Sequence, residues 1–485
     1  MRLVASITRF LEPEQALAPG TPAGFEFLAA REQGRPHVVG ALWSELGIGQ
    51  ALARVARSRR YRSDVERAIF AMVAQRTIAP ASKLEATRWA PREVVLPGVG
   101  ELTDDGLYAA MDFLLECSER VQEAVFFSVA NLLNLEVDVI FFDTTSTYFE
   151  VEPGDDEAGQ DEDAPEPGPG EDESEPPPVA RAPAEAGHRR AGHSKDHRPD
   201  RPQVVIGLAL TREGIPVRVW VWPGNTNDQT VIEQVKSDLG GWKLGRCVMV
   251  VDSGFSATEN LRYMQRAGGH YIAGMKLRAG TAEAKLALKR GGRYHPVAEN
   301  MSVKQVIVGD GAARQRFVVA RNSWEADRDR ERREQTIARL EGELATLGQV
   351  RGAAHEKAAC KLRAHRSMGR YIRQTKTGRL MVDRDKIRRE ARLDGKYLIS
   401  TSDDTLSPED VALGYKNVLE AERGFRDLKG TIRLRPVYHR KEDRIRSHVL
   451  ICFLALVVIR VAGRGHLIWP QCGRLIWPHF RPIAI

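Results

Sequence analysis

The period of the hydrophobic positions changes along this chain, and each change marks a different kind of element. From Val38 to about Leu133 apolar residues recur at helical spacing. Leu42, Leu46, Ile48, Leu52 and Val55 form one stripe, and Val65, Ile69, Met72 and Val73 a second. Leu107, Met111, Leu114 and Leu115 form a third, which Thr103-Asp104-Asp105 precedes as an N-cap. Near Val137 the pattern switches to unbroken apolar runs of strand length. Val139-Ile140-Phe141-Phe142 ends on Asp143, and Val248-Met249-Val250-Val251 ends on Asp252. Between them, 204–210 and 217–222 flank a Gly-containing turn and predict a β-hairpin. The turn from Pro223 to Asp228 predicts a cap, with Asp228 as the capping acid, for a helix over Gln229–Leu239. A helix over Ala257–Ala267, a strand over His270–Met275 and a strand over Lys396–Ser400 follow. Pro408–Lys429 reads as one helix. Val449–Ile459 is apolar throughout but too short for a bilayer and ends at Arg460, so it predicts a buried helix.

The order strand, hairpin, helix, strand, helix, strand is an α/β pattern with the layout of a ribonuclease-H-like core. The chain then divides as follows. Residues 1–35 are weakly structured, and 36–134 form a helical domain. Residues 135–275 begin the core, 276–395 are a large insertion, 396–460 finish the core, and 461–485 are an atypical tail. The insertion carries strands over Val303–Val308 and Arg316–Ala320, then a charged helical arm over Ala326–Gln349. Trp324, just before the arm, reads as a packing residue.

Charge changes the picture. The formal net charge is +7, yet residues 150–175 hold thirteen Asp or Glu and no Lys or Arg, which leaves +20 on the remainder. The acidic, Pro- and Gly-rich stretch over 150–186 cannot bury enough apolar surface to fold alone and is read as a disordered loop. A basic remainder favours a polyanionic partner, with double-stranded DNA first. Arg54, Arg57, Arg59, Arg60 and Arg62 make the helical domain a candidate DNA contact. The five cysteines are scattered without a C-x-x-C pair, which argues against a disulfide framework or zinc site and for a reducing compartment. No apolar leader follows Met1, and the expected location is cytoplasmic, with no membrane partner.

Two carboxylates at strand ends and one on a helix can converge on a pair of divalent cations, the arrangement that cuts and rejoins phosphodiester bonds. The third acid is Glu422. Tyr415, Val418, Glu422, Arg426 and Lys429 fall three or four residues apart and so share one helix face. A carboxylate flanked by a phenol, a guanidinium and an ammonium suits metal binding beside phosphate contacts. Oxygen donors select Mg²⁺ or Mn²⁺.

These residues carry a family likeness. The chain resembles bacterial insertion-sequence transposases of the DDE class, in the group whose third acid lies in a Y-x-x-R-x-x-x-E-x-x-x-x-x-x-K helix. Tyr415, Glu422 and Lys429 match that spacing; Val418 stands where the Arg would be, with Arg426 one turn beyond Glu422 as its substitute. Phe142-Asp143-Thr144-Thr145-Ser146 is similar to the first-acid motif and Val251-Asp252-Ser253-Gly254-Phe255 to the second. Gly192-His193-Ser194-Lys195 and Pro223-Gly224-Asn225-Thr226 also look familial. The resemblance implies binding of transposon ends and target DNA, metal-dependent cleavage and strand transfer by a homodimer or higher multimer, and two Mg²⁺ ions on Asp143, Asp252 and Glu422. Tyr415, Arg426 and Lys429 would then contact DNA phosphates. A ribonuclease-H-like nuclease without strand transfer, or an inactive DNA-binding remnant, are the other readings.

Overall fold

The computed structural model describes residues 30–59, 65–150, 187–242, 244, 247–278, 280–435, 437 and 439–463. The expectations placed on the first 29 residues, on Arg60 and Arg62, on the acidic stretch from 151 to 186 and on the tail from 464 fall outside them.

Six helices come first: α1 (Gly34–Glu45), α2 (Ile48–Ser58), α3 (Val65–Ile78), α4 (Lys83–Arg92), α5 (Asp104–Glu116) and α6 (Ser118–Leu133). Thr103 caps α5, its Oγ1 accepting from the Gly106 N–H at 3.2 Å. The chain then lays down β1 (Val139–Tyr148), β2 (Gln203–Thr211), β3 (Pro216–Pro223), α7 (Ile232–Gly240), β4 (Val248–Val251), α8 (Thr258–Gln265) and β5 (His270–Met275). Next are α9 (Ala282–Lys289), β6 (His295–Ala298), β7 (Met301–Val308), β8 (Gln315–Asn322), α10 (Ser323–Leu347), α11 (Gly352–Ala364), β9 (Ile372–Gln374), β10 (Leu380–Val382) and α12 (Arg384–Ala391). The chain closes with β11 (Lys396–Thr401), α13 (Pro408–Lys416), α14 (Leu419–Arg426) and α15 (Glu442–Ala462).

The architecture is mixed α/β around one nine-stranded sheet of order β3-β2-β1-β4-β5-β11-β8-β7-β6. Within this sheet, among the described residues, the β1–β4 and β4–β5 pairs are parallel and the other pairs antiparallel. Strands β1, β4 and β5 have both faces covered, which is why their sequences are continuous rather than alternating. One face packs Ile140, Phe142, Met249 and Val251 against α6, α7 and α8. The other packs Val139, Phe141, Val248 and Val250 against Val411 and Ala412 of α13. On that same side Val204, Ile206, Leu208 and Leu210 of β2 meet Ala421 and Phe425 of α14. The N-terminal helices do not close a separate core; they share one apolar cluster with β2, α14 and α15.

Helix α15 runs 21 residues, longer than its apolar run predicts, and is long and apolar enough to cross a membrane; 83% of its most apolar window is buried inside the protein. The insertion strands β6–β8 are not a separate sheet, because β8 pairs with β11 and extends the main one. The charged arm is anchored by packing: Leu340 and Leu347 of α10 lie on Leu362, Met368, Tyr371, Ile372 and Leu380. Trp324 is exposed at the start of α10, 57% accessible, and so does not pack as expected.

Candidate active site

The register of β1 brings the first two acids together. Phe142 pairs with Val251 in the parallel β1–β4 ladder, so Asp143 and Asp252 are the next positions on adjoining strands, which run about 4.8 Å apart. Asp143 does not end its strand, as its apolar run predicts. β1 continues to Tyr148 because β2 pairs with it all the way, Asp143 facing Leu208. What ends at this point is β4: after Val251 its chain turns off through Ser253–Phe255, leaving the Asp143 side of β1 without a neighbour strand.

Each carboxylate is held. The Thr144 N–H donates to Asp143 Oδ1 at 2.7 Å. The Tyr415 hydroxyl donates to Asp252 Oδ1 at 2.9 Å. Tyr415 reaches Asp252 across β5 only because residue 274 is glycine; a Cβ there would stand 2.1 Å from the phenol oxygen. Burial, above all, pushes the Asp143 carboxyl up to about 7; Lys195 opposes this, and Asp252 and Asp228 reinforce it. Burial and then the neighbouring Asp252 hold the Tyr415 phenol well above its ordinary value, so it remains a donor.

A fourth group of residues enters that the helix-cap reading of Asp228 missed. Asn227, not Asp228, caps the turn, its side chain accepting from the Gln229 N–H at 3.0 Å. Asp228 is thereby free to face β1. It accepts from Thr144 Oγ1 at 2.6 Å and pairs with Lys195 Nζ at 3.0 Å. Lys195 Nζ also donates to the Thr144 carbonyl and hydroxyl oxygens, both at 2.7 Å, and its N–H donates to Ser146 Oγ at 2.8 Å. The Lys195 loop is seated by backbone contact: a Cβ on Gly192 would lie 2.0 Å from the Gly224 carbonyl oxygen. The two Gly-containing segments that look familial therefore pack on each other beside the acids.

The third acid stands differently. The single helix expected over Pro408–Lys429 is broken: i→i+3 bonds from Asn417 and Val418 form a tight turn between α13 and α14. A π-helical turn, Asp427–Thr431, follows α14. α14 lies on β2 so closely that a Cβ on Gly424 would meet Leu208 Cδ2 at 2.9 Å, and Leu208 is the residue opposite Asp143. Glu422 is thus carried over the sheet face where Asp143 and Asp252 lie. It is exposed and has no hydrogen bond or ion pair among the described residues. Among them no three acids, cysteines or histidines are gathered closely enough to hold a metal ion.

The expected phosphate contacts have internal partners in two cases. Tyr415 is bound to Asp252. Lys429 Nζ donates to Asp196 Oδ1 at 2.8 Å, and Arg435 pairs with Asp196 Oδ2 at 3.1 Å. Burial, opposed by Asp196, holds the Lys429 ammonium below its ordinary value. Arg426 is exposed. The Glu422 segment is therefore tied at one end to the second acid, through Tyr415 to Asp252, and at the other to the loop beside the first, through Lys429 to Asp196, the residue after Lys195.

Residues 177–458 match the family described as the transposase DDE domain, a span that includes Asp228, Asp252 and Glu422 and begins after Asp143. No curated protein matches the sequence. Two solved structures are similar to it. One is the cryo-EM structure of the piggyBac transposase synaptic complex with hairpin DNA, 10% identical over 88% of this chain and 74% of that one, TM-score 0.37. The other is the Mos1 transposase paired-end complex with left transposon end, 11% identical over 59% of this chain and 79% of that one, TM-score 0.15. The family match spans more than half of the sequence, and the chain belongs to the DDE transposase domain family.

Proposed function

We propose that this protein is the transposase of a bacterial insertion sequence, which binds transposon ends as a multimer and carries out cleavage and strand transfer with Asp143, Asp252 and Glu422. The observation that carries the reading is the meeting of Asp143 and Asp252 at the end of β4, on the face that the Glu422 helix covers. The strand order β3-β2-β1-β4-β5, an antiparallel meander followed by two parallel additions, supports a ribonuclease-H-like core. In this reading 36–134 help to bind DNA and 276–395 interrupt the core.

The donor set fits a hard dication. It offers only oxygens, and Asp143 sits beside two further acids that raise the cost of its charge. Asp143 and Asp252 would hold a pair of Mg²⁺ or Mn²⁺ ions with Glu422 completing the set, and the ions would supply Lewis acidity and an activated oxygen for in-line displacement. Around them the chain's own groups orient. Tyr415 fixes the rotamer of Asp252 by donating to Oδ1. Lys195 bridges β1 and Asp228, so the strand beyond Asp143 is pinned. Arg426, exposed on α14, is the residue of the expected phosphate-contact set that remains open to grip a phosphate oxygen, since Tyr415 is held by Asp252 and Lys429 by Asp196.

The test is a joining assay with a precut transposon end, run beside cleavage of an intact end. Wild-type protein should cleave and join. Glu422→Gln, Asp143→Asn and Asp252→Asn should each bind the end and do neither. Cleavage without joining would make the protein a nuclease, and near-native cleavage by Glu422→Gln would remove Glu422 from the site.

A further inference from the structure

The insertion holds a charge imbalance that the catalytic site does not use. Residues 351–392 contain fourteen Lys or Arg and four Asp or Glu, a net charge of +10 in 42 positions, larger than that of the whole chain. The acids are already engaged: Asp383 with Lys386, Asp385 with Arg388, and Glu390 with Arg278 outside the segment; Glu356 is the exception. The segment is nevertheless a built unit. Leu362, Met368, Tyr371, Ile372 and Leu380 close a small core against α10.

Three of the basic residues share one face and the tip of a hairpin. Strands β9 and β10 form a short antiparallel ribbon in which Ile372 and Leu380 point into that core. The opposite face and the tip carry Arg373, Lys376 and Arg379, all exposed and none with an acid partner among the described residues. Gly378, at φ +84°, lets the tip turn tightly, with the Gly378 N–H donating to the Thr375 carbonyl at 3.0 Å. Arg363 of α11 is fixed beside the ribbon by a 2.9 Å bond from Nη1 to Gln374 Oε1. Three cations thus lie on the outer face and tip of the ribbon, with Arg363 flanking it on the core side, where Gln374 lies. Such a ribbon is narrow enough to lie in the major groove of duplex DNA with its basic residues against the flanking phosphates.

We propose that the β9–β10 ribbon, with Arg363, Arg373, Lys376 and Arg379, is a second DNA-gripping surface that holds the backbone of duplex DNA away from the catalytic acids. The proposal rests on the reading of the chain as a DNA-handling enzyme and deepens it. A surface of this kind contributes affinity through counterion release and carries no catalytic role.

The test uses the full chain without divalent metal and a duplex of arbitrary sequence, titrated across salt concentrations. Replacing Arg373, Lys376 and Arg379 together by Gln should reduce the slope of log affinity against log salt by about 2 to 3, from roughly 0.9 per lost phosphate contact. The pair Arg373→Lys and Arg379→Lys should keep the wild-type slope. An unchanged slope in the Gln triple overturns the proposal. So does an equal loss in the Lys pair, because the effect would then not follow charge. Asp143→Asn provides the separation from the catalytic reading: it should lose cleavage and keep the slope. A ribbon effect in a protein that never cleaves would leave the grip standing and remove the enzyme.

Discussion

Two polar clusters in this protein are opposite in sign, one half-buried and one sealed, and the contrast between them is one of access. The first lies at the end of β4, where Asp252 and Asp228 flank Asp143 and Lys195 pairs with Asp228. The second lies between α3, α4 and α15. There Lys83 Nζ meets His448 Nδ1 at 2.9 Å, and Arg76 and His439 stand close by. Burial drives Asp143 in the first, and Lys83 and His439 in the second, toward neutrality. It lifts Asp143 to about 7 and lowers Lys83 to about 7 and His439 to about 4. The difference is access. The acid cluster sits where a strand stops and the sheet opens, beneath a helix carrying an unpartnered Glu422. The basic cluster is sealed by α15, with Lys83 and His448 almost wholly buried. In the proposed reading a dication would relieve the first, whereas the second is relieved by giving up protons.

The sharpest way to break this comparison is to ask which acids in the first cluster are equivalent. Asp143→Asn and Asp252→Asn should bring cleavage below detection. Asp228→Asn should cost only about 10–100-fold, the usual effect of a group that orients a ligand instead of being one. Parallel measurement of cleavage rate and of Mn²⁺ affinity decides it. A loss in Asp228→Asn as complete as in Asp143→Asn would place Asp228 among the metal-holding residues and change the assignment.

A smaller effect is expected at Tyr415. Tyr415→Phe keeps the ring over Gly274 and deletes only the bond to Asp252. Stability should fall by about 1 kcal/mol or less, while metal affinity falls about tenfold. A drop in melting temperature without any change in metal affinity would make Tyr415 a packing residue.

How much of this was legible beforehand follows from what each residue depends on. Asp143 and Asp252 stood out because each ends an apolar run, a local signal. Their proximity was not local. It depends on the parallel register Phe142–Val251, and on β2 carrying β1 past the point where β4 stops. Asp228 was misread because Asn227 and Asp228 are both competent caps, and only the fold shows which one turns inward. Helical spacing singled out Tyr415 and Lys429 as phosphate contacts on one helix face, whereas the fold pairs Tyr415 with Asp252 and Lys429 with Asp196 and breaks the helix between them at Asn417–Val418. Helix propensity gives no warning of that break, since no Gly or Pro occupies it. The pairing of Lys429 with Asp196 joins residues 233 positions apart, beyond any pattern of spacing. The Lys83 cluster was invisible for the same reason.

That second cluster gives the smallest and most specific expectation. His448 Nε2 lies 3.1 Å from the Leu434 carbonyl, so Nε2 carries the proton and Nδ1 accepts from Lys83. Burial holds His448 well below its ordinary value, and Arg76, donating to the Arg433 carbonyl, adds a fixed positive charge. Lys83 is near 10.5 when unfolded and about 7 in the fold. Above pH 10.5 it is neutral in both states and carries no penalty. Between 10.5 and 7 the unfolded chain holds a proton that the folded chain does not, so stability falls as pH is lowered through this window. Below 7 both states are charged and the loss is complete. Other groups also titrate there, so the informative quantity is the difference from Lys83→Met, which fills the space without the charge. Wild-type stability relative to the variant should rise with pH from 7 to 10.5, at no more than about 1.4 kcal/mol per pH unit for one proton. Chemical denaturation of both proteins at several pH values measures it. A flat difference would mean that Lys83 keeps its proton in the fold, and the sealed cluster would then need an anion to neutralise it, which would make the two regions alike.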